Sequence, residues 1–400
     1  MSRNELLIFD SIEYKQRLSK VRKSMQEEEL DVAVITAPED VFYLTGYPHG
    51  LGLTRPFPLV IPLDGPTTLV YREIEGGSIE PLVGHTIDRT ISWSDIGTEK
   101  VGGYSAFNSF GFVGKIISDL GLANKRVGVQ MDSGRNGVGF SVRCFDRLKE
   151  ALPKANFIDV TDVVERHRLI KSPAEIEYMR MASRIASKGL AAGIDAVKEC
   201  TSEHDVAKAV IDAMLESPNY EFAYWWPVFV CSGPRSAIIH NTTIGRIIRK
   251  GDLVYIEVGA AVNRYHGITL RTASVGPPSE KMQKVEKAVQ NALDKAISAI
   301  KPGVEAGEVD EICRGTIAKA GFGKYFKLRS GYTIGAEWSQ PHGINLVTGN
   351  SAELRPGMTF HVIPICMFFG EGAIGMSETV LVTEEGSEVL TELERKLFVK

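Results

Sequence analysis

The sequence predicts an α/β protein of two domains, the second an α+β unit with duplicated αα-ββ halves. Three observations carry this. Short β-branched runs alternate with amphipathic stretches through residues 1–163. A helix-start signature, Ser172-Pro173-Ala174-Glu175, then opens a region of different character. Within residues 164–400, a helix-helix-strands order occurs twice.

The elements follow in order. "SIEYKQRLSKVRKSMQEEE" spaces its apolar residues by three and four, the period of a helix with one buried face. "DVAVITA", "FPLVIPL" and "RVGVQMD" are β-branched runs that stop at Pro, Gly or Asp, as strands do. "GKIISDLGLA" and "RCFDRLKEAL" read as helices. Ser172 as N-cap, Pro173 as first helical residue and Glu175 three residues after the cap form a capping box. A second helix starts at "SEHDVAKAVIDAML". "PVFVCSG", "LVYIEVGAAV" and "RYHGITLRTASVG" are strands, the last two a hairpin turning at Asn263. Two more helices, "SEKMQKVEKAVQNALDKAISAI" and "AGEVDEICRGTIAKAG", lead to strands "MTFHVIPICMFF" and "SETVLVTEEG". The echo of "AVKECTSEHDV" in "AIKPGVEAGEV" supports a duplication.

Composition narrows the function. The net charge of −4 gives no electrostatic footprint for nucleic acid. There is no signal-peptide core and no run of membrane-spanning length, so a cytoplasmic chain with no membrane partner is expected. The five cysteines are scattered without a CxxC pair, which points to buried thiols rather than disulfides or zinc.

Seven stretches in order carry a family resemblance: "KSPAEIEYMR", "SGPRSAIIHN", "KGDLVYIEVGA", "RYHGITLRT", "RSGYTIG", "RPGMTFHVIP" and "SETVLVTEEG". They resemble the pita-bread fold of methionine aminopeptidases, Xaa-Pro peptidases and creatinase. The full two-domain length is similar to the peptidase, creatinase and ectoine hydrolase branch. The resemblance implies a dinuclear metal site of two Asp, one His and two Glu. Those positions fall on Glu257, Ile268, Tyr332, Ile363 and Glu378, of which two are carboxylates. Isoleucine has no lone pair to offer a hard divalent ion. No metal or other cofactor is therefore expected.

The emptied cleft is expected to be relined for acid–base chemistry by His240, Glu257, His361 and Glu378. Tyr332 and Trp338 suit an aromatic wall for a cationic ligand. His266, Arg271 and His342 are further candidates for substrate contact, while His204 reads as a surface or packing residue. By the resemblance the chain is a homodimer, with Arg55 reaching across the interface to a substrate carboxylate.

These readings lead to a metal-independent hydrolase of a non-peptide C–N bond, in a small amidine- or guanidine-type amino-acid derivative. In it His240 activates water. Glu257 holds the amidinium or attacks as nucleophile, and His361 with Glu378 returns the proton. Two other readings stand beside it. One is a metal-dependent Xaa-Pro peptidase, the other a non-catalytic binding module of the same fold.

Overall fold

The computed structural model describes residues 8–47, 57–83, 86–94, 108–132, 140–223, 228–340 and 342–400. The chain divides into two compact units, Met1–Arg168 and Leu169–Lys400. The buried Arg168 guanidinium, at the end of the first unit, donates to the Asp40 carboxylate at 2.7 Å.

The first unit is one mixed six-stranded sheet with helices on its faces. In chain order its elements are α1 (Ser11–Glu27), β1 (Val32–Ile35), α2 (Pro38–Thr45), β2 (Leu59–Pro62), β3 (Thr68–Arg72), α3 (Gly76–Val83) and β4 (Arg89–Trp93). They continue with α4 (Asn108–Asp119), β5 (Arg126–Val129), α5 (Val142–Ala151), β6 (Asn156–Asp159) and α6 (Glu165–Arg168). The strand order is β4-β3-β2-β1-β5-β6. Strand β1 lies in the middle and is buried on both sides, which is why it reads Val-Ala-Val-Ile with no polar alternation.

The second unit opens with α7 (Pro173–Ala196), whose N-terminus is the capping box foreseen at Ser172 and Glu175. Helix α8 (Glu203–Leu215) follows, then β7 (Glu221–Phe222) and β8 (Val228–Ser232). Strands β9 (Leu253–Val262) and β10 (Tyr265–Ser274) form the hairpin. Its two-residue turn, Asn263-Arg264, has φ of 46° and 68°. Both are left-handed, as the turn that matches strand twist requires.

Helices α9 (Glu280–Ala299) and α10 (Ala306–Lys319) begin the second half. Its strands are β11 (Gly331–Thr333), β12 (Asn345–Leu346), β13 (Thr359–Val362), β14 (Ile365–Phe368), β15 (Gly372–Gly375), β16 (Glu378–Val382), β17 (Ser387–Val389) and β18 (Phe398–Val399). The two main sheets order as β18-β10-β9-β7, with β8 also on β9, and β12-β11-β13-β16-β17.

Each sheet has a helix-covered outer face. Val254, Ile256 and Val258 of β9 pack with Ala186, Leu190 and Val210 of α7 and α8. Val362, Val380 and Val382 pack with Val285, Val289 and Leu293 of α9. Alternation then sends the intervening residues to the inner faces. This is the pita-bread architecture, two αα-ββ halves with their inner faces joined. The Leu270–Ser377 bridge and the bonds of Thr379 Oγ1 to the Ile268 N–H and C=O make the join.

Candidate functional site

The inner face is built from strand register. Glu257 pairs with Phe229 on one side and Leu270 on the other. Gly259 pairs with Ile268. Tyr332 pairs with His361, and His361 with Thr379. Paired residues share a face, so these side chains line one surface.

Glu257 is only 5% exposed. The Tyr255 hydroxyl, two residues back on the same face, donates to Glu257 Oε2 at 2.5 Å. Burial first, and then the adjacent Glu257 charge, push the Tyr255 phenol well above its ordinary pKa. Tyr255 therefore stays a donor.

Trp338 closes over this surface. Its six-membered ring lies where a Cβ on Gly259 would sit, 2.1 Å from the nearest ring carbon. Only glycine admits the indole there. A chain of hydrogen bonds continues from it. Trp338 Nε1–H donates to Tyr332 Oη at 3.1 Å. Tyr332 Oη lies 2.9 Å from His361 Nδ1, and His361 Nε2 lies 2.6 Å from Ser377 Oγ. The indole can only donate, so the phenol oxygen accepts from it. Neutral His361 has one N–H, so it donates to one of these two hydroxyls and accepts from the other.

Burial holds both interior histidines neutral. His361 is pushed down to about 3, by desolvation and then by the Arg329 charge. His266 is pushed down to about 4, mainly by desolvation, with its Nδ1 3.2 Å from the Gly335 carbonyl. The ordinary value is 6.5 for both. Between about pH 4 and 6.5 the unfolded chain binds protons that the folded chain refuses, so stability rises with pH there. Acidifying from pH 7 to 5 should cost about 2 kcal/mol per histidine. Urea unfolding at both pH values tests this. His361→Gln should remove roughly half of the histidine-linked loss, and an unchanged slope would refute the assignment.

Two expectations fail on geometry. Glu378 does not join His361. It pairs with Val362 on the helix-covered face, while Ser377 and Thr379 take the inner face. Glu378 Oε1 accepts from Arg271 at 2.6 Å and Arg395 at 2.9 Å, and Oε2 accepts from Thr391 Oγ1. Arg271 likewise points away from Glu257. Its five N–H donors go to Glu378 and to the carbonyls of Leu270, Ser377, Leu393 and Glu394. No donor is left for a substrate.

The other candidates separate as follows. His240 is exposed, in a left-handed backbone at φ 62°, with its ring 6.4 Å from that of Phe229. His342 is exposed in the turn after Trp338. Arg55 lies outside the described residues. Tyr255, Phe229 and Ser377 were missed. Two-residue alternation around Glu257 would have found Tyr255.

The donor set does not fit a two-metal centre. Of Glu257, Ile268, Tyr332, Ile363 and Glu378, only Glu257 is a carboxylate on the inner face, because both Glu378 oxygens are taken on the other. Among the described residues, no group of three or more His, Cys, Asp or Glu is placed to hold a metal ion. No described helix is long and apolar enough to cross a membrane.

Comparison with known proteins adds the kinship. A model described as metallopeptidase family M24 matches residues 177–384, and one described as creatinase/prolidase N-terminal domain matches residues 17–170. An uncharacterized hydrolase/peptidase of Sinorhizobium fredii is 31% identical, covering 98% of each chain. A Xaa-Pro dipeptidase of Pyrococcus furiosus is 30% identical over 96% of this chain and 100% of its own. The prolidase structure from Thermococcus sibiricus superposes with a TM-score of 0.83 at 26% identity, covering 97% and 99% of the two chains. Dipeptidase PepE from Mycobacterium ulcerans gives 0.82 at 26%, over 98% and 99%. These relatives overturn the expected non-peptide C–N substrate. The proteins that match from end to end, N-terminal domain included, are named for peptide bonds.

Proposed function

The chain belongs to metallopeptidase family M24, and from that premise we propose that it is a peptidase-type hydrolase of short Xaa-Pro peptides. The observation that carries this reading is the end-to-end likeness to Xaa-Pro dipeptidases, both domains in register. The inner face offers the chemistry. Glu257 takes a proton from the water that attacks the carbonyl carbon before proline. It returns that proton to the prolyl nitrogen as the C–N bond breaks. Burial raises the reactivity of a carboxylate used this way, because water no longer solvates its charge. The Trp338–Tyr332–His361 chain holds the wall beside it rigid. Because the donor set does not fit two metals, no step passes through a metal ion. A homodimer belongs to the same proposal, on the resemblance of the whole two-domain chain. A single-chain mass by light scattering would remove it.

The test is release of free proline from a panel of Xaa-Pro dipeptides, before and after exhaustive dialysis against chelator. Release should persist after dialysis, and the melting temperature should not move. No proline with or without added manganese would end the peptidase reading. Release only with stoichiometric added divalent ion would keep the substrate class and end the metal-free chemistry.

A further inference from the structure

We propose that the pocket between α7, the α8–β7 connection and the tip of the β9–β10 hairpin binds a primary ammonium group on a short aliphatic stem, held by the Glu221 carboxylate and the Tyr178 ring. The site is separate from Glu257, and the inference stands independently of the peptidase reading.

Strand register gives the separation. Val262 lines the pocket and packs in one core with Ala186 and Leu190 of α7, on the helix-covered face of β9. Glu257 is five residues back on the same strand, so alternation puts it on the opposite, inner face. The pocket has a volume of about 330 Å³. That is the lower end of small-ligand sites, roughly 300–1,000 Å³, and suits a short ligand.

One wall is aromatic and apolar. Tyr178 and Met181 are three residues apart on α7, so they share a face of the helix. The Tyr178 ring stacks on that of Tyr265, with centroids 6.1 Å apart and planes at 28°. The Tyr265 hydroxyl in turn donates to Glu175 at 2.6 Å, which holds this wall in place.

The other wall is polar. Asn219 and Asn263 bring side-chain amides, and among the described lining residues Glu221 alone is charged. The Arg264 backbone N–H donates to Glu221 Oε2 at 3.0 Å, which orients the carboxylate. Its Oε1 has no donor among the described residues. Tyr220 also lines the pocket, and its hydroxyl is buried with no hydrogen-bond partner among the described residues. A buried hydroxyl in that state is unfavourable, and a polar ligand atom would relieve it. Burial pushes the phenol up to about 12, so it is protonated at neutral pH.

These walls select the ligand. A carboxylate with an open oxygen calls for a cation. An aromatic face favours the same cation, because the ring carries negative charge on its face. Carboxylate, amide and hydroxyl oxygens are all acceptors, and an ammonium brings three N–H donors to meet them. A quaternary ammonium brings none. An anion would meet Glu221 with no lining cation to offset it. The occupant would also brace the hairpin, since Glu221 holds Arg264 and Tyr178 holds Tyr265 at the start of β10.

Calorimetry on the full chain, in low-salt buffer at pH 7, tests the site. The probes are n-butylammonium, its neutral counterpart 1-butanol, n-butyltrimethylammonium, and Nα-acetyl-L-lysinamide, which carries the same group as a lysyl side chain. n-Butylammonium should bind about fivefold tighter than 1-butanol, the upper end of what an ion pair with an exposed carboxylate contributes. It should also bind tighter than the quaternary probe, and added salt should narrow its lead over the alcohol. The melting temperature should rise with its concentration. Glu221→Gln should erase the preference for ammonium over alcohol. Glu221 is exposed and glutamine still accepts from Arg264, so the fold is expected to hold, and circular dichroism checks it. Tyr178→Leu should weaken both ammonium probes and leave 1-butanol little changed. Lysinamide binding tighter than n-butylammonium would support the site and assign it to a lysyl side chain of a partner. Weaker lysinamide binding would support it as a site for a free amine. No binding of either primary ammonium, a Glu221→Gln variant that keeps the preference, or tighter binding of the quaternary probe would overturn the proposal.

Discussion

Arg271→Met is expected to lower the unfolding free energy by about 3–5 kcal/mol, the cost of stripping one partner from a buried ion pair. The guanidinium is fully buried and is locked by Glu378 and four backbone carbonyls. Desolvation pulls its pKa below the ordinary value, and the Glu378 charge opposes that pull. Removing it leaves four carbonyls with one donor fewer and Glu378 with only Arg395 and the Thr391 hydroxyl. The site is also a junction. Leu393 and Glu394 precede the final strand β18, which pairs with β10, so the C-terminal segment should loosen with the salt bridge. Adding Glu378→Gln to Arg271→Met should recover part of the loss, because no uncompensated charge then stays buried. Urea unfolding of the full chain at pH 7 reads both effects. A loss under about 1 kcal/mol for the single variant would mean that water or a neighbour replaces the guanidinium, and that the clamp is not structural.

That pair also marks the limit of what sequence could tell. The helix start at Ser172, the hairpin around Asn263 and the repeated halves were legible because they are local. Caps, turns and periodicity are written within a few residues. The inner position of Glu257 was legible too, since Val-Tyr-Ile-Glu-Val-Gly alternates cleanly. Glu378 was not, because sequence alone does not fix where strand pairing starts. A register error of one residue moves a side chain to the opposite face. Here that error exchanged Ser377, which meets His361, for Glu378, which meets Arg271. Arg271 misled for a second reason. Its partners, Leu393 and Glu394, lie 122 and 123 residues away in the chain. Contacts of that range leave no local pattern. The seating of Trp338 on Gly259 is of the same kind. Neither residue announces the other, and only the bare Cα surface of the glycine makes the approach possible.

The opposite outcome is expected at Glu257. Glu257→Gln should reduce proline release by about 10²–10⁴-fold, the usual contribution of a positioned acid–base group. Stability should hold or rise. The glutamine is isosteric, and its amide oxygen can still accept from the Tyr255 hydroxyl that now sits 2.5 Å from Oε2. What disappears is a negative charge at 5% exposure in an apolar strand, which costs free energy to bury. The two substitutions therefore separate the roles of two buried charges on neighbouring strands. Arg271→Met should unfold without a direct effect on the catalytic step in the molecules that stay folded. Glu257→Gln should stay folded and stop working. Parallel urea curves and initial rates on one Xaa-Pro dipeptide measure both quantities. A glutamine variant that loses several kcal/mol of stability and keeps its rate would reverse the assignment and make Glu257 part of the scaffold.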